Sequence, residues 1–156
     1  MKRNLLFIMA ILLIVSAGAA LADDSNNWGG LYWGATEQDL FTAYGRGFTK
    51  DMAHEDNAHT YLYVKDSPLK EAELWWIYFF DNKIGFCSFR IVFIGEAYEA
   101  GAAILYWAVS RAYGKTDLVD KMPTWTLDYA YLELGIKPED KVAYLQITML
   151  KREGKK

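Results

Sequence analysis

Seven consecutive residues, Leu74-Trp75-Trp76-Ile77-Tyr78-Phe79-Phe80, constrain the fold most. As a strand, alternation sends Leu74, Trp76, Tyr78 and Phe80 to one side and Trp75, Ile77 and Phe79 to the other, so both sides are apolar. Asp81-Asn82-Lys83 has turn composition, and a second apolar run from Ile84 to Phe93 follows it. The pattern predicts a hairpin of strands Glu73 to Phe80 and Ile84 to Phe93.

The rest of the chain supplies partners for this hairpin. Thr36 can cap a helix through Glu37-Gln38-Asp39, with Leu40, Phe41 and Tyr44 on one face and Gly45 as its stop. Residues 46 to 58 lack periodicity and read as a loop, Tyr61 to Val64 as a short strand, and Ser67-Pro68 as a break. Between Gly95 and Tyr113, the residues Tyr98, Ala102, Leu105, Val109 and Ala112 recur at spacings of four and three, one helical stripe that ends at Gly114. Two more strands, Thr124 to Leu134 and Lys141 to Leu150, flank a segment containing Gly135 and Pro138.

The predicted order is α-β-β-β-α-β-β. Hairpin-length links demand mostly antiparallel pairing. The fold class is α+β, a single antiparallel sheet of about five strands with two helices packed on one face. Both helices end in Tyr-Gly, at Tyr44-Gly45 and Tyr113-Gly114, and each leads through a polar connection into aromatic strands. This suggests a duplicated helix-plus-hairpin unit.

The first 22 residues have the three parts of a secretory leader: Lys2 and Arg3, an apolar run from Leu5 to Val15, and Ala20-Leu21-Ala22 before Asp23. The run is about half of the roughly 20 apolar residues needed to cross a bilayer. Cleavage near Ala22-Asp23 is therefore expected, leaving 23–32 as a flexible lead, 33–151 as a single α+β domain and 152–156 as a basic tail. The expected location is the periplasm or the exterior. The only cysteine is Cys87, so no membrane anchor can be attached through a cysteine after the leader, and no internal disulfide can form. Its apolar surroundings, Phe86-Cys87-Ser88-Phe89, predict a buried thiol.

Of the 17 Lys and Arg, two lie in the leader, which leaves 15 against 20 Asp and Glu. A chain this acidic is not expected to hold nucleic acid, which needs a concentrated basic surface.

Within the first helix, Gly34, Thr36, Gln38, Leu40 and Gly45 match the helix signature of the small lipoproteins of the outer-membrane β-barrel assembly machine, and the segment 34–45 resembles them. The doubled helix-then-sheet plan is similar to that of β-lactamase inhibitor proteins. The resemblance implies a helix-plus-antiparallel-sheet domain and, for the second family, a sheet face that grips a partner enzyme. The chain departs from the lipoprotein pattern in lacking a cysteine after the leader.

No pattern points to catalysis. Hydrolysis needs a nucleophile beside a base or two carboxylates across a cleft, whereas Ser67, Ser88 and Ser110 lie in no elbow-like glycine context. His54 and His59, with Asp51 nearby, are the best candidate metal ligands. Their five-residue spacing is not that of a helical zinc motif, and the bland reading is a hydrated loop. No metal or other cofactor is expected.

The aromatics carry the functional expectation. A hairpin that is apolar on both sides, in a sheet covered on one, leaves rings for a partner, because Trp and Tyr bury much area at small entropy cost. The candidate binding residues are Trp75, Trp76 and Tyr78. The expected function is non-enzymatic binding of a protein partner, or homo-oligomer formation, through this face. The competing readings are an apolar ligand or lipid held between the sheet and the helix of 95–113, and an unrecognised hydrolase.

Overall fold

A computed structural model describes residues 27–28, 31–45, 49–50, 58–119, 121–128 and 130–150. Helix α1 spans Glu37–Tyr44 and α2 spans Tyr98–Tyr113. Strands β1 (Asn27–Trp28) and β2 (Leu31–Tyr32) form a small ribbon. The remaining strands are β3 (Thr49–Lys50), β4 (Ala58–Lys65), β5 (Glu73–Asp81), β6 (Gly85–Ile94), β7 (Asp117–Val119), β8 (Met122–Thr126), β9 (Ala130–Lys137) and β10 (Val142–Met149). They make one sheet in the order β3-β4-β5-β6-β10-β9-β8-β7, antiparallel throughout.

The chain is α+β with two helices, as expected, but the sheet has eight strands instead of about five. The three additions have local causes. The run Thr124 to Leu134 is two strands, because the chain reverses at Leu127 and Asp128 with the Leu127 amide donating to the Ala130 carbonyl at 2.9 Å. The polar connection after α2 holds β7, which pairs with β8. The 46–58 stretch holds β3 and the start of β4. The expected lead 23–32 contains β1 and β2, and Leu31, 1% exposed, belongs to the core.

Each helix is followed by four strands that meander inward from an edge. The first unit ends on β6 and the second on β10, and these two strands pair, Arg90 opposite Gln146 and Ile91 opposite Leu145. Both edge strands are short, β3 with two residues and β7 with three, which limits edge pairing.

The core lies on the helix side of the sheet. Row by row, Trp76, Ile91, Leu145 and Leu134 face it from β5, β6, β10 and β9, and Tyr78, Phe89, Ile147 and Leu132 form the next row. All eight are buried. Leu105, Ala108 and Val109 of α2 pack into this layer, and Gly101 brings the helix backbone onto Phe93. Helix α1 covers the other unit through Leu40, fully buried, and through Phe41, whose ring meets Tyr61 edge-on at 5.4 Å. Tyr61 in turn meets Phe80 at 5.5 Å.

The segment entering α1 is fixed from both ends. Gly34 and Ala35 bond to Phe86 across the end of β6, with Gly34 N–H to Phe86 O and Phe86 N–H to Ala35 O both 2.9 Å. This close approach leaves no room for a Cβ at Gly85, which would sit 2.6 Å from the Ala35 oxygen. Thr36 then caps the helix in a reciprocal box: the Asp39 amide donates to Thr36 Oγ1, while the Thr36 amide donates to Asp39 Oδ2 at 2.8 Å. The residues by which 34–45 resembles the lipoprotein helix therefore have local work here, since Gly34 and Gly45 both adopt positive φ.

Hydrogen bonds from Thr36 hold the Asp39 carboxyl below its ordinary value of 3.8. A depressed folded pKa contributes stability above the unfolded value, and the contribution is lost as pH falls through the folded one. Acid titration of the wild type should therefore show an acid limb in helix stability below pH 3.8 that Asp39→Asn lacks. Identical acid limbs would exclude the cap as its source.

Gly101→Ala should lower the melting temperature. Alanine gains about 1 kcal/mol in helix propensity, but overpacking against the buried Phe93 ring costs about 1–3 kcal/mol. A variant melting at or above the wild type would show that α2 can lift off Phe93 freely.

Candidate binding face

The side of the sheet away from the helices is built from the alternate residues. Its central row runs Leu62, Ile77, Arg90, Gln146, Glu133 and Thr124 across β4, β5, β6, β10, β9 and β8. One flanking row is Val64, Trp75, Val92, Tyr144 and Gly135, and the other is Thr60, Phe79, Ser88, Thr148, Tyr131 and Thr126. The face is thus divided, apolar over β4 and β5 and polar with two tyrosines over β6 to β8. Val64 is 54% exposed, Trp75, Ile77, Phe79, Tyr131 and Tyr144 are half-buried, and Thr126 and Thr148 are exposed.

Of the three expected binding residues, Trp75 lies on this face. Trp76 and Tyr78 do not: they are 3% and 1% exposed in the core layer, packed against Phe89 at 5.3 and 4.8 Å between ring centroids. Both helices lie on their side of the sheet, so alternation places the open rings at Trp75, Ile77 and Phe79 instead. The Trp76 indole nitrogen has no hydrogen-bond partner within the described residues, consistent with an apolar packing role.

Arg90 is the centre of the face. Its guanidinium lies over the Phe79 ring at 5.2 Å and the Tyr144 ring at 4.8 Å, and its Nε donates to Gln146 Oε1 at 2.6 Å. Phe79 and Tyr144 sit diagonally on either side of it, one strand away in each direction. Burial pulls the guanidinium below its ordinary pKa, opposed by Tyr144 and Glu133; the group stays charged. Tyr144 is pushed up by burial and by the charge of Glu133, to which its hydroxyl donates at 3.5 Å. The Tyr144 ring lies over Gly135, where any Cβ would collide with it, so the glycine lets the ring lie flat against the sheet. Trp75 is tied at its indole nitrogen to Glu73 Oε2 at 2.8 Å.

Cys87, expected to be buried, is half-buried. It is the extra residue of a bulge where the β5–β6 register shifts between Phe79 and Phe80, and its thiol donates to the Phe79 carbonyl at 3.4 Å. Burial pushes its pKa up, the opposite of a reactive thiolate. Of the candidate metal ligands, Asp51 and His54 lie outside the described residues; His59 is in β4 opposite Phe80, its side chain outside the described set. Among the described residues no three His, Cys, Asp or Glu side chains cluster as a metal site would require, and no helix is long and apolar enough to cross a membrane. An open depression of about 290 Å³ lies between the start of α1 and the β5–β6 turn, lined by Thr36, Glu37, Phe80, Asp81, Asn82 and Lys83 among others. Asp39 already occupies the α1 N-terminus there.

Sequence reasoning missed Phe79, Arg90, Tyr144, Gln146 and Glu133. A lone arginine inside an otherwise apolar strand is the signal that could have found them. Comparison with protein-family models, curated proteins and solved structures found no match.

The two adjacent tryptophans should behave oppositely. Trp76→Ala should cost about 3–5 kcal/mol in urea unfolding, as core truncations of this size do. Trp75→Ala should cost about 1–2 kcal/mol, the transfer value of a half-covered ring. Equal losses would place both rings in the core.

Proposed function

We propose that this chain is an exported binding protein without catalytic machinery, and that the open sheet face takes another protein. The observation that supports this most is the group of half-buried rings, Trp75, Phe79 and Tyr144, around Ile77 and Arg90 on a face that neither helix covers. Such a surface has the composition of interface centres, where aromatic and arginine anchors dominate and rigid rings are buried at small entropic cost. The sheet fixes their positions before binding, which lowers the ordering cost of association. Export rests on the leader-like first 22 residues. An extracytoplasmic partner fits a chain with one half-buried thiol, since it carries no cysteine pair to be oxidised.

The double variant Trp75→Ser/Phe79→Ser tests this reading. It should keep the wild-type near-ultraviolet circular dichroism apart from the lost rings, and it should lose the partner that the wild type captures from a periplasmic extract. A folded double variant that keeps every association of the wild type would sink the reading.

A further inference from the structure

The terminal nitrogens of Arg90 are the unexplained feature of the open face. Its Nε is used by Gln146, and the Phe79 and Tyr144 rings lie beside it. No carboxylate of the described residues forms an ion pair with it, and Glu133, the acid along its row, receives the Tyr144 hydroxyl instead. A cation has thus been partly taken out of water with no carboxylate in contact: Glu133 acts on it only from two strands away, and ring contacts offset only part of the cost of that burial. The guanidinium is also held still. Two neighbouring rings and a short bond at Nε hold the group, and its terminal nitrogens form a planar two-donor fork, the geometry that matches a carboxylate.

Resting on the protein-binding reading above, we infer that Arg90 receives a carboxylate from an acidic side chain of the partner, next to an apolar residue that lies over β4 and β5. The division of the face supplies the second half of this motif. Ile77 is directly opposite Arg90 on β5 and Leu62 lies beyond it on β4, with Trp75 and Phe79 on either side. Neighbouring strands are about 4.8 Å apart and an extended peptide rises about 3.3 Å per residue with alternate side chains on one side, so an apolar group one to two strands from the carboxylate corresponds to an aromatic residue two positions from a Glu. Charge complementarity selects an acid over a base here, because a second cation would meet Arg90 unshielded.

The experiment is a nitrogen–proton chemical-shift titration of the folded protein with acetyl-Phe-Ala-Glu-amide and with its neutral isostere acetyl-Phe-Ala-Gln-amide, read at the Trp75 Nε1 and Arg90 Nε signals. The glutamate peptide should shift both signals and bind at least roughly tenfold more tightly than the glutamine peptide, the scale of a charge-assisted hydrogen-bonded pair. Arg90→Gln should erase that preference, and Arg90→Lys should restore only part of it, since an ammonium keeps the charge and loses the fork. If Arg90→Gln fails to fold, the preference between the two peptides in the wild type still decides. Equal binding of the two peptides would overturn the carboxylate assignment and leave the apolar docking reading standing, whereas shifts with neither would overturn both.

Discussion

The pairing of β6 with β10 is the contact on which the rest of the molecule depends. Among the described residues it is the one strand pairing that joins the two units, and three rows of the core cross it: Phe93 to Ala143, Ile91 to Leu145, Phe89 to Ile147. Helix α2 packs over β6, β10 and β9, so it bridges the seam from above as the strands bridge it from within. Slipping this register by one residue would turn Leu145 and Ile147 outward and Tyr144 and Gln146 inward, which buried apolar faces forbid. The order of elements, a helix followed by four inward-running strands and then the same again, is what duplication and end-to-end joining of one unit would produce, and the paired Tyr-Gly helix ends agree with it.

The same seam sets up the open face. Because both helices lie on one side, the alternate residues of all the inner strands are left on the other, and Arg90 and Gln146 meet at the centre of it as a directly opposed pair. The face is therefore a consequence of the covered side: each residue that fills the core fixes its neighbours outward. Gly135 and Cys87 adjust it, one by letting the Tyr144 ring lie flat and the other by absorbing a bulge.

Much of this was legible in the sequence, and the limits have physical causes. Alternation sorted residues 74–80 into two sets correctly, since a period of two needs no tertiary information. It could not say which set the helices cover, so Trp76 and Tyr78 were grouped with Trp75 although they fill the core. The polar marks on β6 and β10 would have decided this, but the bulge at Cys87 breaks the phase: Phe86 and Phe89 face the same side although three residues apart. Strict alternation through that point puts Phe86 with Ser88 and Arg90. The missed turn at Leu127-Asp128 has no glycine or proline to announce it, and β7 is three exposed residues paired, among the described strands, with β8 alone. Short edge elements are set by their neighbour, not by their own composition.

A charge at the middle of an aromatic surface also bears on which kind of partner suits it. Under a two-fold operator, a face packed on its own copy brings equivalent groups together around the axis. Arg90 lies near the centre of this face, so a self-complementary contact centred there would set two desolvated guanidinium groups against each other with no carboxylate between them. Glu133 is two strands away along the row and is engaged with Tyr144. Like charges held together away from water cost several kcal/mol, enough to disfavour face-to-face pairing of identical copies while leaving a partner that brings its own acid unopposed. On the proposed protein-binding reading, the arginine would act in both directions, as an attraction for an acidic surface and as a repulsive element against a second copy.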